Sequence, residues 1–306
     1  MVATIFSQGR FNMRKVLLAT TALVALGGVS AANADISISG AAEFAYDQPT
    51  TGSNTMAVDG SLVISAKSTT DSGLTFSAVH DMKFEGQDAV TNAAATVGSD
   101  YNDAYIGVSG DFGSVTMGYT DTALDKQDSK FTGRSLAVQE HGNKTGNSSG
   151  SLIGGDSTAI NFYAPSISGL SLVASLDEAN NRTDIGASYS IAGIDVGYQT
   201  RSSSTDYTLV GVGASLGPVR IQASTTNADT AGTKVRSKDV GVSYTAGDVY
   251  LAAHMSKAND AAKDENRSLG AIYTVAPGVT ARIESYYGKK DGTVSEGVYS
   301  ELRVSF

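Results

Sequence analysis

Cysteine is absent from this sequence, which removes disulfides, thiolate nucleophiles and cysteine metal sites together. Positive charge is scarce: 22 Lys and Arg stand against 31 Asp and Glu, a net charge of -9. Nucleic-acid binding needs basic surface to neutralise phosphates, so that class is excluded as a partner. Histidine is limited to His80, His141 and His254. These lie on separate segments with no i, i+4 pair, and a metal or catalytic site requires convergent groups. No histidine stands beside a candidate serine, so the chain is read as not an enzyme. Beyond the N-terminal region no apolar run approaches the roughly 20 residues of a membrane-spanning helix.

The N-terminal region itself is read as an export signal covering residues 1–34. Arg14 and Lys15 supply a positive start, Val16 to Val29 is mostly apolar but short, and Ala32-Asn33-Ala34 is a small-x-small cleavage site. Met13 is taken as the true start. Cleavage after Ala34 removes three bases and no acid, leaving 19 basic and 31 acidic residues and a net charge of -12. The alternative for this segment is a membrane anchor, which the short apolar run disfavours.

From Asp35 onward the chain alternates apolar and polar residues with a period of two, the signature of strands with two different faces. Ile36, Ile38, Ala42, Phe44 and Tyr46 point one way; Ser37, Ser39, Glu43 and Asp47 point the other. Similar runs recur to Phe306, about sixteen in all, each near the length a tilted strand needs to cross a bilayer. Tight turns at Asp71, Asp111, Ser166, Gly193, Gly217, Gly247 and Pro277 alternate with more polar connections near Pro49, Gln87, Asp121, Asn180, Ser203, Asp229, Asp260 and Asp291. Short turns at one end and long loops at the other characterise outer-membrane barrels. A soluble sandwich would alternate similarly but gives no reason for that asymmetry. The fold class expected is therefore all-β: a sixteen-stranded antiparallel transmembrane barrel over residues 35–306.

One connection stands apart. Residues 121–156 carry Asp121, Asp125, Asp128, Lys126, Lys130, Arg134, Glu140, His141 and Lys144, and end in a Gly/Ser/Asn tract. Long connections are uncommon unless functional or disordered. The segment is expected to fold into the bore as an inward extracellular loop; an external, disordered loop is the alternative. Asp121, Asp125 and Asp128 lack the spacing and glycine of a calcium loop. No cofactor is expected, and adventitious Ca²⁺ on clustered carboxylates is left open. Inward glycines at 107, 186, 197, 211, 213, 241 and 270 are read as letting a curved wall bend. His254 has lumen parity. His80 has outward parity beside Phe76 and Ala78, which suits a rim, a subunit interface or a bulge that shifts the register.

The DISISG start, the LVISAKSTTDSGLTF and YIGVSGDFGSVTMGY hairpins and the terminal Phe306 resemble the general porins of Gram-negative outer membranes, the alphaproteobacterial branch especially. The resemblance covers essentially all of 35–306. It implies a homotrimer among outer-membrane lipids and lipopolysaccharide, passive diffusion of small hydrophilic solutes, and a third extracellular loop in the bore, matching 121–156. Small outward residues Gly40, Ala42 and Ala66 on the first strands suit close packing between barrels. A substrate-specific channel and a structural or adhesin barrel are the other readings. Lumen parity and barrel closure suggest one basic patch of Lys67, Lys83, Arg282 and Arg303, faced across the constriction by Asp121, Asp125, Asp128 and Glu140. With the mature charge, this predicts weak cation selectivity.

Overall fold

The structure is a computed structural model that describes residues 35–85, 101–138, 156–261 and 263–306. The export signal at 1–34 and Glu140 lie outside the described residues. Sixteen antiparallel strands close into a single barrel in which each strand pairs with its sequence neighbours and the last pairs with the first. The first half comprises β1 (Asp35–Pro49), β2 (Thr55–Thr69), β3 (Thr75–Glu85), β4 (Tyr101–Gly110), β5 (Gly113–Asp121), β6 (Asp156–Tyr163), β7 (Leu170–Asp177) and β8 (Arg182–Ile191). The second comprises β9 (Ile194–Ser202), β10 (Asp206–Leu216), β11 (Val219–Thr230), β12 (Thr233–Ala246), β13 (Val249–Ala258), β14 (Glu265–Ala276), β15 (Val279–Lys290) and β16 (Thr293–Ser305). Between β5 and β6 lie a helix, α1 (Ala123–Asp128), and a 3₁₀ turn (Gly133–Leu136).

The alternation has sorted the side chains inside out. Apolar residues face outward and stay exposed, as with Ile185 at 55% and Leu269 at 65%, while inward Asp184, Gln199 and Gln222 are fully buried. A sheet whose apolar face is its outside fits hydrocarbon, where no water can satisfy an open edge and the ladder must close. Closure is made by β1 and β16 in the register Ala42↔Val304 and Glu43↔Arg303. Phe306 completes it: its N–H donates to the Gly40 carbonyl at 3.0 Å, and its own carbonyl accepts from the Gly40 N–H at 2.9 Å. The Phe306 ring covers the spot a Gly40 side chain would fill, so Gly40 seats the terminal aromatic.

The loop asymmetry is narrower than the sequence suggests. The connections after β11 and β15, expected to be long, are two-residue turns at Ala231-Gly232 and Asp291-Gly292. Both residues of each turn have positive φ, the backbone of a tight hairpin with matched strand twist. The polar residues flanking these turns are strand, not loop, and extend the hairpins past the length a bilayer needs. Length is concentrated instead in the β3–β4 and β5–β6 connections. His80 faces outward and is exposed, beside Ile64 and Ala104. The register shift in that hairpin falls between Asp81 and Met82, after His80, so a bulge does not account for its parity.

Candidate functional site: the bore and the strap across it

From Thr122 the chain turns off the end of β5 and runs along the inner wall as a strap. Helix α1 begins it. The Ala123 N–H donates to Ser175 Oγ at 2.8 Å, Gln127 Nε2 to the Ser171 carbonyl at 3.2 Å, and Gln199 Nε2 to the Leu124 carbonyl at 3.0 Å. These bonds fasten the helix to β7 and β9. Its apolar face buries Ala123 and Leu124 with Phe131, Val173 and Leu209. A hydrophobic cluster inside a water-lined barrel has one use, to hold the strap down, and burial of such side chains contributes about 1.5–3 kcal/mol each.

The strap then crosses strand after strand. Gln222 Nε2 on β11 donates to the Ser129 carbonyl at 2.7 Å, and Ser135 Oγ donates to Gln222 Oε1 at 2.9 Å. Arg220 donates to the Lys130 carbonyl and to Asp195. Tyr250 on β13 donates its hydroxyl to the Leu136 carbonyl at 2.7 Å. Val138 reaches Gly270 on β14.

The inward glycines explain the path. A Cβ on Gly186 would overlap Leu124 and Gln127; on Gly197 or Gly211, Phe131; on Gly213, the Lys130 carbonyl; on Gly241, Gly133; on Gly270, Val138. Six of the seven glycines expected to bend the wall are therefore the floor on which the strap lies. Gly107 meets the wall residues Ser77, Val115 and Thr116 instead.

The wall beneath the strap is tied by ion pairs that the sequence reading left out of the site. Arg201 grips Asp184 with two bonds, at 2.8 and 2.9 Å. Arg182 lies 3.7 Å from Asp184 and 3.9 Å from Asp177, and Arg220 lies 2.7 Å from Asp195. Asp177↔Arg182 and Asp184↔Arg201 are direct cross-strand neighbours, so opposite-sign residues of inward parity on adjacent strands were the available signal. On β12 and β13, His254 Nε2 meets Asp239 Oδ2 beneath the 3₁₀ turn, so His254 braces the wall.

The expected constriction residues are dispersed. Asp121 ends β5 and stands opposite Asp156 in the ladder. Asp125 is half-buried on α1, whereas Asp128 is 1% exposed, so Asp128 is not the bore-lining charge expected of it. The four bases do not make one patch. Lys67 stands beside Ser77 on β3, six residues from Lys83 on that strand, roughly 20 Å at strand rise. Arg282 and Arg303 are adjacent-strand neighbours of acids: Arg282 lies 3.4 Å from Glu301, and Arg303 lies 2.8 Å from Glu43. Their wall is mixed in sign because closure brings β1 acids beside β16 bases. The described strap lies on β7–β14, on the other side of the barrel from this mixed wall of β15, β16 and β1–β3. Among the described residues no cluster of three or more His, Asp or Glu could hold a metal ion.

A family model described as Gram-negative porin matches residues 19–293. Among solved structures, a five-substitution mutant of the Rh. blastica porin superposes with a TM-score of 0.70 at 20% identity, covering 89% of this chain and 100% of that one. A triple mutant of the Rhodopseudomonas blastica porin does so with a TM-score of 0.66 at 20% identity and the same coverage. A search among curated proteins finds no match to this chain. With an outward apolar belt, a closed sixteen-stranded ladder and a family match over most of its length, the chain belongs to the Gram-negative porin family of the bacterial outer membrane.

Proposed function

We propose that this porin is a water-filled channel for passive diffusion of small hydrophilic solutes and ions, with a weak preference for cations, working as a homotrimer. The observation that carries the reading is the strap. A barrel of this strand number leaves an aqueous lumen, and a segment fastened flat on one inner wall narrows that lumen to the space between itself and the opposite wall. On the strap side Asp121 and Asp125 contribute charge; on the other side stand Lys67, Lys83, Arg282 and Arg303, interleaved with Glu43 and Glu301. Charges on both walls of a narrowed lumen orient dipolar solutes and disfavour apolar ones, as charged rings do in other pores. The mature excess of acids tilts the preference to cations.

Purified protein in a planar bilayer tests this. Stepwise, ohmic conductance increments are expected. Absence of steps would favour a structural or adhesin barrel, and conductance blocked saturably by one solute would favour a substrate-specific channel.

A further inference from the structure

The inward arginines among the described residues are all paired. Arg182, Arg201, Arg220, Arg282 and Arg303 each lie within ion-pair distance of a carboxylate on the wall. Lys126 is placed differently. It is exposed on α1, and among the described residues no carboxylate lies within ion-pair distance of it. Its ammonium is seated over an aromatic ring, 4.7 Å from the centre of Tyr163. Tyr163 packs against the cluster of Ala123, Leu124 and Phe131 that fastens the strap, so the ring is a fixed platform. A cation over a ring face is attracted by the ring quadrupole, weakly where water has access. Lys126 is thus held there but free to exchange.

The surroundings of that ring are acidic. Asp121 and Asp125 lie within electrostatic reach of Tyr163, as does the hydroxyl of Tyr105. The charges that bear most on Asp121 are themselves carboxylates, Asp125, Asp156 and Asp103. Like charges in one neighbourhood repel, and a cation stationed among them is favoured. An aromatic face beside carboxylates is the chemistry that recognises an ammonium ion. Here the chain supplies the ammonium itself. The seated lysine, rather than the carboxylates alone, marks the spot as a place for a cation.

We propose that Tyr163, with Asp121 and Asp125, forms an ammonium subsite in the bore that the chain fills with its own Lys126, and that this tethered cation holds the channel's cation preference low. Its role rests on the channel reading above, and the solutes that compete for it are primary alkylammonium ions. The test is a reversal potential under a KCl gradient in planar bilayers, for the wild type, K126A and K126A/Y163L, with butylammonium chloride as the probe. K126A should raise the cation-to-anion permeability ratio about twofold at 0.1 M salt, where charges act over about 10 Å. Butylammonium should then return the K126A ratio toward the wild-type value. Half of that effect is expected at a concentration about tenfold lower than in K126A/Y163L, which lacks the ring. A barrel merely distorted by loss of the Lys126 side chain would not be restored by a free ion, and a boiled-versus-unboiled gel shift verifies folding of each variant. An unchanged ratio in K126A overturns the inference while leaving the channel in place, and so does a butylammonium effect equal in K126A and K126A/Y163L. Absence of conductance steps in the wild type overturns the channel reading and the subsite's role with it.

Discussion

At the scale of residues, the bore is governed by pairs. Arg282 and Arg303 each offset an acid on the neighbouring strand, so removing them does more than subtract positive charge. The R282Q/R303Q variant leaves Glu301 and Glu43 without their cations, and Glu301 is almost fully buried. Its cation preference, read as a reversal potential under a salt gradient, should rise roughly twofold at 0.1 M salt, where the Debye length is about 10 Å, and fall back near 1 M, where it is about 3 Å. An unchanged potential would place these side chains away from the ion path. Phe131 offers a second test. It is fully buried between Gly197 and Gly211, and truncation to alanine should cost about 3 kcal/mol or more of strap attachment. Cleavage in the strap by added protease should accelerate while the barrel's heat-modified gel shift is retained.

At the scale of elements, the strap and the hairpins behave differently. Deleting 126–136 removes the floor-to-floor span over β10–β13, and single-channel conductance should increase clearly; no change would mean that the strap does not limit the aperture. Strand identity was legible in the sequence because inward and outward residues differ in chemistry at most alternate positions, with outward His80 on β3 an exception. Connection length was not. Asp229 and Asp291 sit in polar stretches that look like loop, yet the positive-φ pairs Ala231-Gly232 and Asp291-Gly292 close the hairpins at once, and polar residues continue as strand above the belt. The site was legible in kind but not in arrangement. Parity identified Arg282 and Arg303 as inward, but their partners depend on a register that sequence alone does not supply. Asp128 shows the same limit: its charge is evident, whereas its burial depends on which face of α1 meets the wall.

At the scale of the molecule, closure decides stability. No edge strand is left open, and every strand is hydrogen-bonded on both sides, so the barrel should resist detergent until heated. An unboiled sample should migrate apart from a boiled one on a detergent gel, and solubility without detergent would contradict the fold's setting. Crosslinking in native membranes should yield trimers, with monomer alone counting against the assembly proposed above.

The row of glycines under the strap carries one more consequence. In the channel proposed above, the gap available to a solute is the distance from the strap to the far wall, and the strap's height is fixed by what lies behind it. A methyl group at Gly197, Gly211 or Gly241 would drive the strap into the lumen by something like one carbon–carbon bond, roughly 1.5 Å, without adding an atom to the path a solute follows. The aperture of this filter is thus set by shims on its hidden side, and its cut-off can drift through positions that no permeant molecule ever touches.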